Sequence, residues 1–290
     1  MTVRDLGYQP YEGKRLPASN NTWVMLRHGL GRAWASWMVK TAVFLGWAPF
    51  VVGCGIWAAQ WWILQQFAAQ GGGAIQAEGA QQAGPFLHSM YNWYVWIFGL
   101  MITLGAGAGA ISEDLTHRAF QFYFSKPMTV PQYLLGRILA VSLWMFFITF
   151  IPGLMMVVAV TGMSPEEARL ENFGLILPAF IHSVLIAAVT GVASVGVSSL
   201  SKSRALTMST WVLVFIVPYV LATIVTEVGE WPWLKLLSLP ALLAVVGDAL
   251  FKVPREDALE WFHALPILVA VVVGGMYASI LRLRRAEVVA

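Results

Sequence analysis

Few side chains in this sequence are of types that do chemistry, and their positions are informative. Glu113 and Asp114 follow directly on an apolar run that ends at Ile111. If that run is a helix, the two carboxylates sit at the negative end of its dipole and need a cation nearby. Arg118, about one turn beyond Asp114, is the nearest candidate by spacing. His182 stands inside another apolar run, where it is either a proton relay or a side chain bonded to a neighbouring helix, the commoner case for a lone histidine. Cys54 is the single cysteine, so the chain can form no disulfide within itself and no cysteine-based metal site, and the thiol reads as a small hydrophobe. Glu166-Glu-Ala-Arg169 falls short of the E-E-x-x-x-R spacing used in membrane proteolysis and is read as coincidence. There is no H-E-x-x-H, no G-x-S-x-G, no Cys paired with His and no G-x-x-x-x-G-K-[ST]. No catalytic residue, metal ligand or cofactor is therefore assigned to this chain.

The elements that must hold these residues belong to a membrane. Of the 290 residues 58% are hydrophobic and 11% charged, where a soluble domain carries about 25% charged residues. The net charge of +3 gives no electrostatic footprint for nucleic acid. A hydrocarbon core of ~30 Å takes about 20 apolar residues to cross as a helix. Six such runs are present, at about residues 41–64, 91–111, 132–161, 173–199, 205–226 and 264–281. Backbone groups in lipid must be paired within the segment, and the runs are too long for barrel strands, so an all-α integral membrane protein with six transmembrane helices is expected.

No secretory signal peptide precedes the first run. Arg4, Lys14, Arg15, Arg27, Arg32 and Lys40 precede that run, and Arg118, Lys126 and Arg137 lie at the second connection. Lys202 and Arg204 fall in the fourth connection and Arg282, Arg284 and Arg285 at the end, all on one side of the six crossings. The other side holds only Arg169, Lys235, Lys252 and Arg255, with most of the acids. The positive-inside rule then places both termini in the cytoplasm. The expected organisation is a cytoplasmic leader over residues 1–22, an amphipathic interfacial helix over 23–40, one six-helix transmembrane domain over 41–281 and a cytoplasmic tail over 282–290.

In the 23–40 segment Trp23, Leu26, Leu30, Trp34 and Trp37 recur at three- and four-residue steps opposite His28, Arg32 and Ser36, a stripe suited to the inner membrane surface. The first external connection, with its Gly71-Gly-Gly73, has the composition of a flexible link, not of a substrate-binding domain. Residues 227–263 differ: an apolar stretch over 237–250 is broken by Pro240 and ended by Asp248. It is too short for a seventh crossing and is either re-entrant or surface-lying. Gly105-Ala-Gly-Ala-Gly109, Ala187 with Gly191, and Gly274 with Ala278 offer close helix packing, within one chain or between two. No carboxylate lies inside the six runs, which argues against an ion-coupled carrier. Arg137 is near enough to the inner end to snorkel.

The most informative stretch is residues 112–131. Helix-compatible residues continue from Glu113 through Phe124 and stop at Ser125-Lys126-Pro127. Thr129 and Gln132 then have capping-box spacing with Pro131 in the first turn, so the third crossing begins there. Phe120, Phe122, Tyr123 and Phe124 form an aromatic cluster that either dips into the interface or docks into another protein. This stretch resembles the type-2 superfamily of ABC-transporter permeases, whose pattern here is I-x-x-E-x-x-x-x-T-x-x-x-L-L-S-x-P-x-x-R-x-x-Y-L-L-G-K. Glu113, Ser125, Pro127, Tyr133, Leu134, Leu135 and Gly136 match. Arg137 replaces the final Lys, Ala119 stands near the usual Thr, and Phe122 and Phe124 replace Leu.

The resemblance implies the permease subunit of a bacterial ABC exporter in the cytoplasmic membrane. It implies a second permease copy, as homodimer or heterodimer, and two copies of a separate P-loop ABC ATPase that carries ATP and Mg. It further implies that the 112–131 segment is a coupling helix. Carried over by position, Glu113, Asp114, Arg118, Phe120 and Phe124 would contact the ATPase, while Ser125, Lys126 and Pro127 would form the turn back to the membrane. The alternatives are a non-transporting membrane scaffold that anchors an ATPase or envelope complex, and a secondary carrier coupled through His182 or neutral oxygens. The substrate is not legible.

Overall fold

The computed structural model describes residues 20–69, 83–124, 128–229, 231–255 and 258–288, and all regular structure among them is helical. Among the described residues, six helical segments are long and apolar enough to cross a membrane: Trp37–Phe67, Ala83–Thr116, Val130–Met163, Glu166–Leu200, Arg204–Thr226 and Trp261–Arg285. They correspond one to one with the six apolar runs and extend beyond them, because helix continues past the lipid-compatible residues at both ends.

The spans are unequal in burial. In the second, 67% of the apolar stretch is buried within the chain, against 22% in the first and 17% in the fifth and sixth. The second span is thus surrounded by protein, while the first, fifth and sixth turn broad apolar faces outward. The fourth span packs along both the third and the sixth. Small residues set these approaches: a Cβ added at Gly107 would strike Ser194 of the fourth span, and one at Gly191 would strike Ser142 of the third. Gly105 faces Ser36 and Val39 in the same way. The partners of this glycine run lie within the same chain. In the sixth span the packing glycine is Gly275, whose added Cβ would sit 3.1 Å from Val192, whereas Gly274 meets nothing within 4 Å.

The second span is not a uniform α-helix. It holds two π-helical stretches, Tyr94–Gly99 and Thr103–Gly107, and opens into turns over residues 108–111. Such irregular backbone is tolerated at membrane depth only when protein repairs its hydrogen bonds. Ser198 of the fourth span does so: its hydroxyl accepts from the N–H groups of Ile111 and Ser112, both at 3.0 Å, and donates to the Ala108 carbonyl at 2.8 Å. One turn earlier, the Trp211 indole of the fifth span donates to Thr103 Oγ1 at 2.8 Å.

The leading helix, Asn21–Ala35, meets the rest of the chain along one stripe only. Met25, Leu26, Gly29 and Ala33 are its buried residues, packed on the third span, where an added Cβ at Gly29 would lie 2.7 Å from that of Ala140. Trp23 and Trp37 remain more than 60% exposed, and Trp34 stacks on Trp144 at 5.2 Å. The tryptophan stripe is therefore the outward face, and the protein-facing stripe runs through Met25, Gly29 and Ala33. At the other end of the bundle, Leu239–Leu250 starts at Ser238, whose side chain caps Ala241 N–H, with Pro240 in its first turn. It packs against the second, fourth, fifth and sixth spans and buries Leu239 to Leu243 and Val245 to Gly247.

Candidate functional site

The site lies at the end of the bundle that carries Arg32, Arg137 and Arg204. The second span gives way to a short helix, Ser112–Thr116, and after a turn to a second, Phe120–Phe124. The third span begins at Val130 behind Thr129, whose N–H donates to Gln132 Oε1 at 3.1 Å, one half of a capping box. Arg118 forms the turn between the two short helices at φ 52°. That left-handed conformation is strained for a side chain with a Cβ and relaxed for glycine. Arg118→Gly is expected to raise stability by up to about 1 kcal/mol, read as a higher melting temperature of the purified protein. An unchanged or lowered temperature would show that the side chain itself stabilises the turn.

Asp114 is the centre of the site. It is 6% exposed and takes the Tyr133 hydroxyl on Oδ2 at 2.5 Å, together with Nη2 of Arg137, which is itself 1% exposed. Arg32 of the leading helix reaches Oδ1 at 3.4 Å. The Arg137 guanidinium lies 5.3 Å over the Tyr133 ring and its Nη2 is 3.5 Å from the Tyr123 hydroxyl. Tyr133 and Arg137 are four residues apart on one helix, which brings both side chains onto the face that meets the second span. A buried carboxylate with a guanidinium and a phenol on one oxygen is a rigid junction, because removing either partner leaves an unpaired group in a medium of low dielectric.

Glu113 is half-buried and bridges two other elements: Arg204 at the start of the fifth span at 2.7 Å, and Arg32 at 3.5 Å. Arg32 also donates from Nη2 to the carbonyls of Gly109 and Ala110 at 3.0 and 3.1 Å. It thereby covers acceptors freed where the second span unwinds and places positive charge at that helix end. Burial, with Arg137 close by, lowers the Arg32 pKa from its ordinary value, and Asp114 and Glu113 oppose that shift. Four separated parts of the chain, the leading helix and the second, third and fifth spans, thus meet on two adjacent carboxylates.

The structure divides the residues carried over from the resemblance. Asp114 is internal, 6% exposed. The expected Asp114–Arg118 pair is replaced by Asp114 with Arg137 and Arg32, because the helix stops at Thr116 and Arg118 turns outward, exposed. The Phe120 ring is 4% exposed and packs on Tyr133 at 5.4 Å. The outward ring of this helix is Phe122, at 74% exposure. Thr116, His117, Arg118 and Gln121 share that exposure. Ser125, Lys126 and Pro127 lie outside the described residues, as does the side chain of Phe124. Sequence reasoning missed the roles of Arg32, Tyr133 and Arg204, and treated Arg137 as a snorkelling residue. The available signal was an arginine inside an otherwise uncharged run, four residues after a tyrosine.

His182 meets the commoner expectation: its Nε2 lies 3.2 Å from the Leu243 carbonyl, on the helix Leu239–Leu250. The Glu166–Arg169 pair, at 3.6 Å, is exposed at the opposite end from the acidic pair.

The family model for ABC-2 family transporter proteins matches residues 35–254. The chain belongs to that family. No curated protein matches it. As an ABC-2 permease it is a membrane subunit of an ABC transporter. The matched region takes in the acidic pair, both short helices and the buried helix Leu239–Leu250, while Arg32 and the sixth span fall outside it.

Proposed function

We propose that this permease works as an exporter driven by a separate cytoplasmic P-loop ATPase, which docks on the turn between its second and third spans. The observation that supports this reading is the junction at Asp114. A docking turn can transmit force only if it is rigidly joined to the spans, and Asp114 and Glu113 join it to four parts of the bundle at once. ATPase closure that displaces Ser112–Phe124 would then tilt the second and third spans as a body, a rigid-body switch of the kind seen in other two-state machines.

The face for the ATPase is the exposed one, with Arg118 and Phe122 at its centre, while Glu113, Asp114 and Phe120 hold that face in place from behind. Ser125, Lys126 and Pro127, with Phe124, are taken as part of the same docking segment. In this reading the basic end faces the cytoplasm with both termini, in the cytoplasmic membrane of a bacterium. Two ATPase copies holding ATP and Mg serve a permease dimer, formed of two copies of this chain or of this chain and a similar permease. The outward apolar faces of the first, fifth and sixth spans provide surface for lipid and for that second copy. Export is favoured over uptake because the connection between the first and second spans is too short to hold a substrate receptor.

The test is a pair of substitutions at exposed positions, Phe122→Ala and Arg118→Glu, in a tagged permease purified from native membranes in mild detergent. Both are expected to leave yield and melting temperature unchanged and to lower ATPase recovery at least about tenfold. That loss is about 1.4 kcal/mol, within the range of a single interface anchor. Full ATPase recovery with both variants would refute this docking face.

A further inference from the structure

At the end of the bundle opposite the acidic pair there is a pocket that ATPase docking leaves without a role. Its volume of about 600 Å³ falls within the ~300–1,000 Å³ of sites that hold small organic ligands. Four parts of the chain enclose it: the far end of the first span, the start of the second, the connection between the third and fourth, and the turn that follows Leu239–Leu250. Trp57, Trp61, Leu64 and Phe251 give it apolar walls. Trp57 is 7% exposed and its ring packs on Phe86 at 5.1 Å, so this wall is set by the fold.

The same pocket carries both signs of charge. Glu171, on the helix Glu166–Phe173, and Lys252, in the turn after Leu250, line it together and are exposed. Neither side chain has a hydrogen-bond or ion-pair partner among the described residues, so the two are not closed on each other. Nearby charges differ in this respect: Glu166 is matched with Arg169, and Asp248 with Arg255. Lys252 also holds a left-handed backbone at φ 55°, which costs a residue with a Cβ and which glycine adopts freely. Strain of this kind collects at binding sites, and here it sets an ammonium at the edge of an apolar pocket. The flank of the pocket meets lipid. Only 22% of the apolar stretch of the first span is buried within the chain, and Trp62 and Ile63, beside the lining residues, are 62% and 44% exposed.

We propose that this pocket seats a zwitterionic phospholipid, phosphatidylethanolamine. Its phosphate pairs with Lys252, its ammonium with Glu171, and an acyl chain lies along Trp57, Trp61, Leu64 and Phe251. An amphiphile with one apolar body and two unlike charges at separate atoms matches walls and rim together, and charge-assisted hydrogen bonds to both ends select it over a lipid with a single charge. The orientation proposed above makes the leaflet the outer one; that assignment rests on the earlier reading, while the binding does not. A bound lipid would tie the first span to the helix Glu166–Phe173 and to the end of Leu239–Leu250.

The test compares phosphatidylethanolamine with phosphatidylglycerol, which has no ammonium, added to the purified full-length protein in mild detergent. Native mass spectrometry is expected to show one phosphatidylethanolamine per chain, held at least about tenfold more tightly than phosphatidylglycerol. The same lipid should raise the melting temperature, as a ligand of the folded state does. Lys252→Glu and Glu171→Lys should each weaken retention about tenfold. Ala168→Trp, which fills the pocket from a helix with no buried residue, should abolish it. Equal retention of the two lipids, or unchanged retention in Ala168→Trp, would mean boundary lipid only and overturn the site. The two charge variants, at exposed positions, keep the test decisive should Ala168→Trp fail to fold. No ATPase enters these measurements, so the lipid site and the docking face stand or fall separately.

Discussion

Asp114→Asn is expected to destabilise the permease by about 3–5 kcal/mol, the cost of removing one partner from a buried ion pair. Asparagine keeps the size of the side chain and can still accept from Tyr133. What it loses is the charge opposite Arg137, whose side chain is 1% exposed and has no route to water at that point. Arg32, already drawn into the same cluster, adds repulsion once Asp114 is neutral. Arg137→Met alone should be costly for the mirror reason, leaving the carboxylate with Arg32 and a phenol. The double variant Asp114→Asn with Arg137→Met should cost less than the two singles together, by about 2 kcal/mol or more, because neither charge is then left unpaired. Thermal unfolding of the four proteins in one detergent measures this cycle. Strict additivity would show that the pair is not coupled and that the junction at Asp114 is not the rigid element proposed. If the proposed docking face is right, variants that still fold should bind ATPase with transport reduced, since that face remains while its connection to the spans is loosened.

Ser198→Ala removes a single oxygen and is expected to cost about 2–4 kcal/mol, since buried main-chain groups left unpaired at membrane depth are expensive. Without the hydroxyl, the N–H groups of Ile111 and Ser112 lose their acceptor where the second span has already unwound. Ser194, one turn earlier on the same helix, is the control. Its hydroxyl donates only to the Gly191 carbonyl of its own helix at 3.1 Å, so Ser194→Ala should cost less than about 1 kcal/mol. Hydrogen exchange locates the effect: the Ile111 and Ser112 amides should lose protection in Ser198→Ala and keep it in Ser194→Ala. Equal protection in both variants would mean that the turn holds its own hydrogen bonds.

Much of the fold was legible because a membrane restricts what a chain can do. Six apolar runs of sufficient length could only be helices, since no other segment of that length pairs its own backbone in lipid. The start of the third span was legible in Thr129, Pro131 and Gln132, because capping is local chemistry. The need of Glu113 and Asp114 for a cation was legible too, from the polarity of a helix end. The identity of that cation was not. Spacing along a continuous helix pointed to Arg118, and this failed because the helix ends at Thr116 and the chain turns through a left-handed residue. The actual partners are 23 residues later and 82 residues earlier in the chain.

The sequence by itself determined the class, the number of crossings, the basic end and the place where chemistry-bearing side chains collect, all of which rest on transfer of groups between water and hydrocarbon. Only the tertiary structure decided which apolar stripe faces protein and which faces outward, as in the leading helix, where the tryptophans point out and Gly29 packs in. It also decided that Phe120 is internal and Phe122 external. The reason is that lipid is as apolar as leucine. In water, burial separates apolar from polar residues and leaves a pattern in the chain; in a membrane, close packing of small residues and a few long-range ion pairs choose the interior, and the order of residues shows where such groups stand but not which neighbour each one meets.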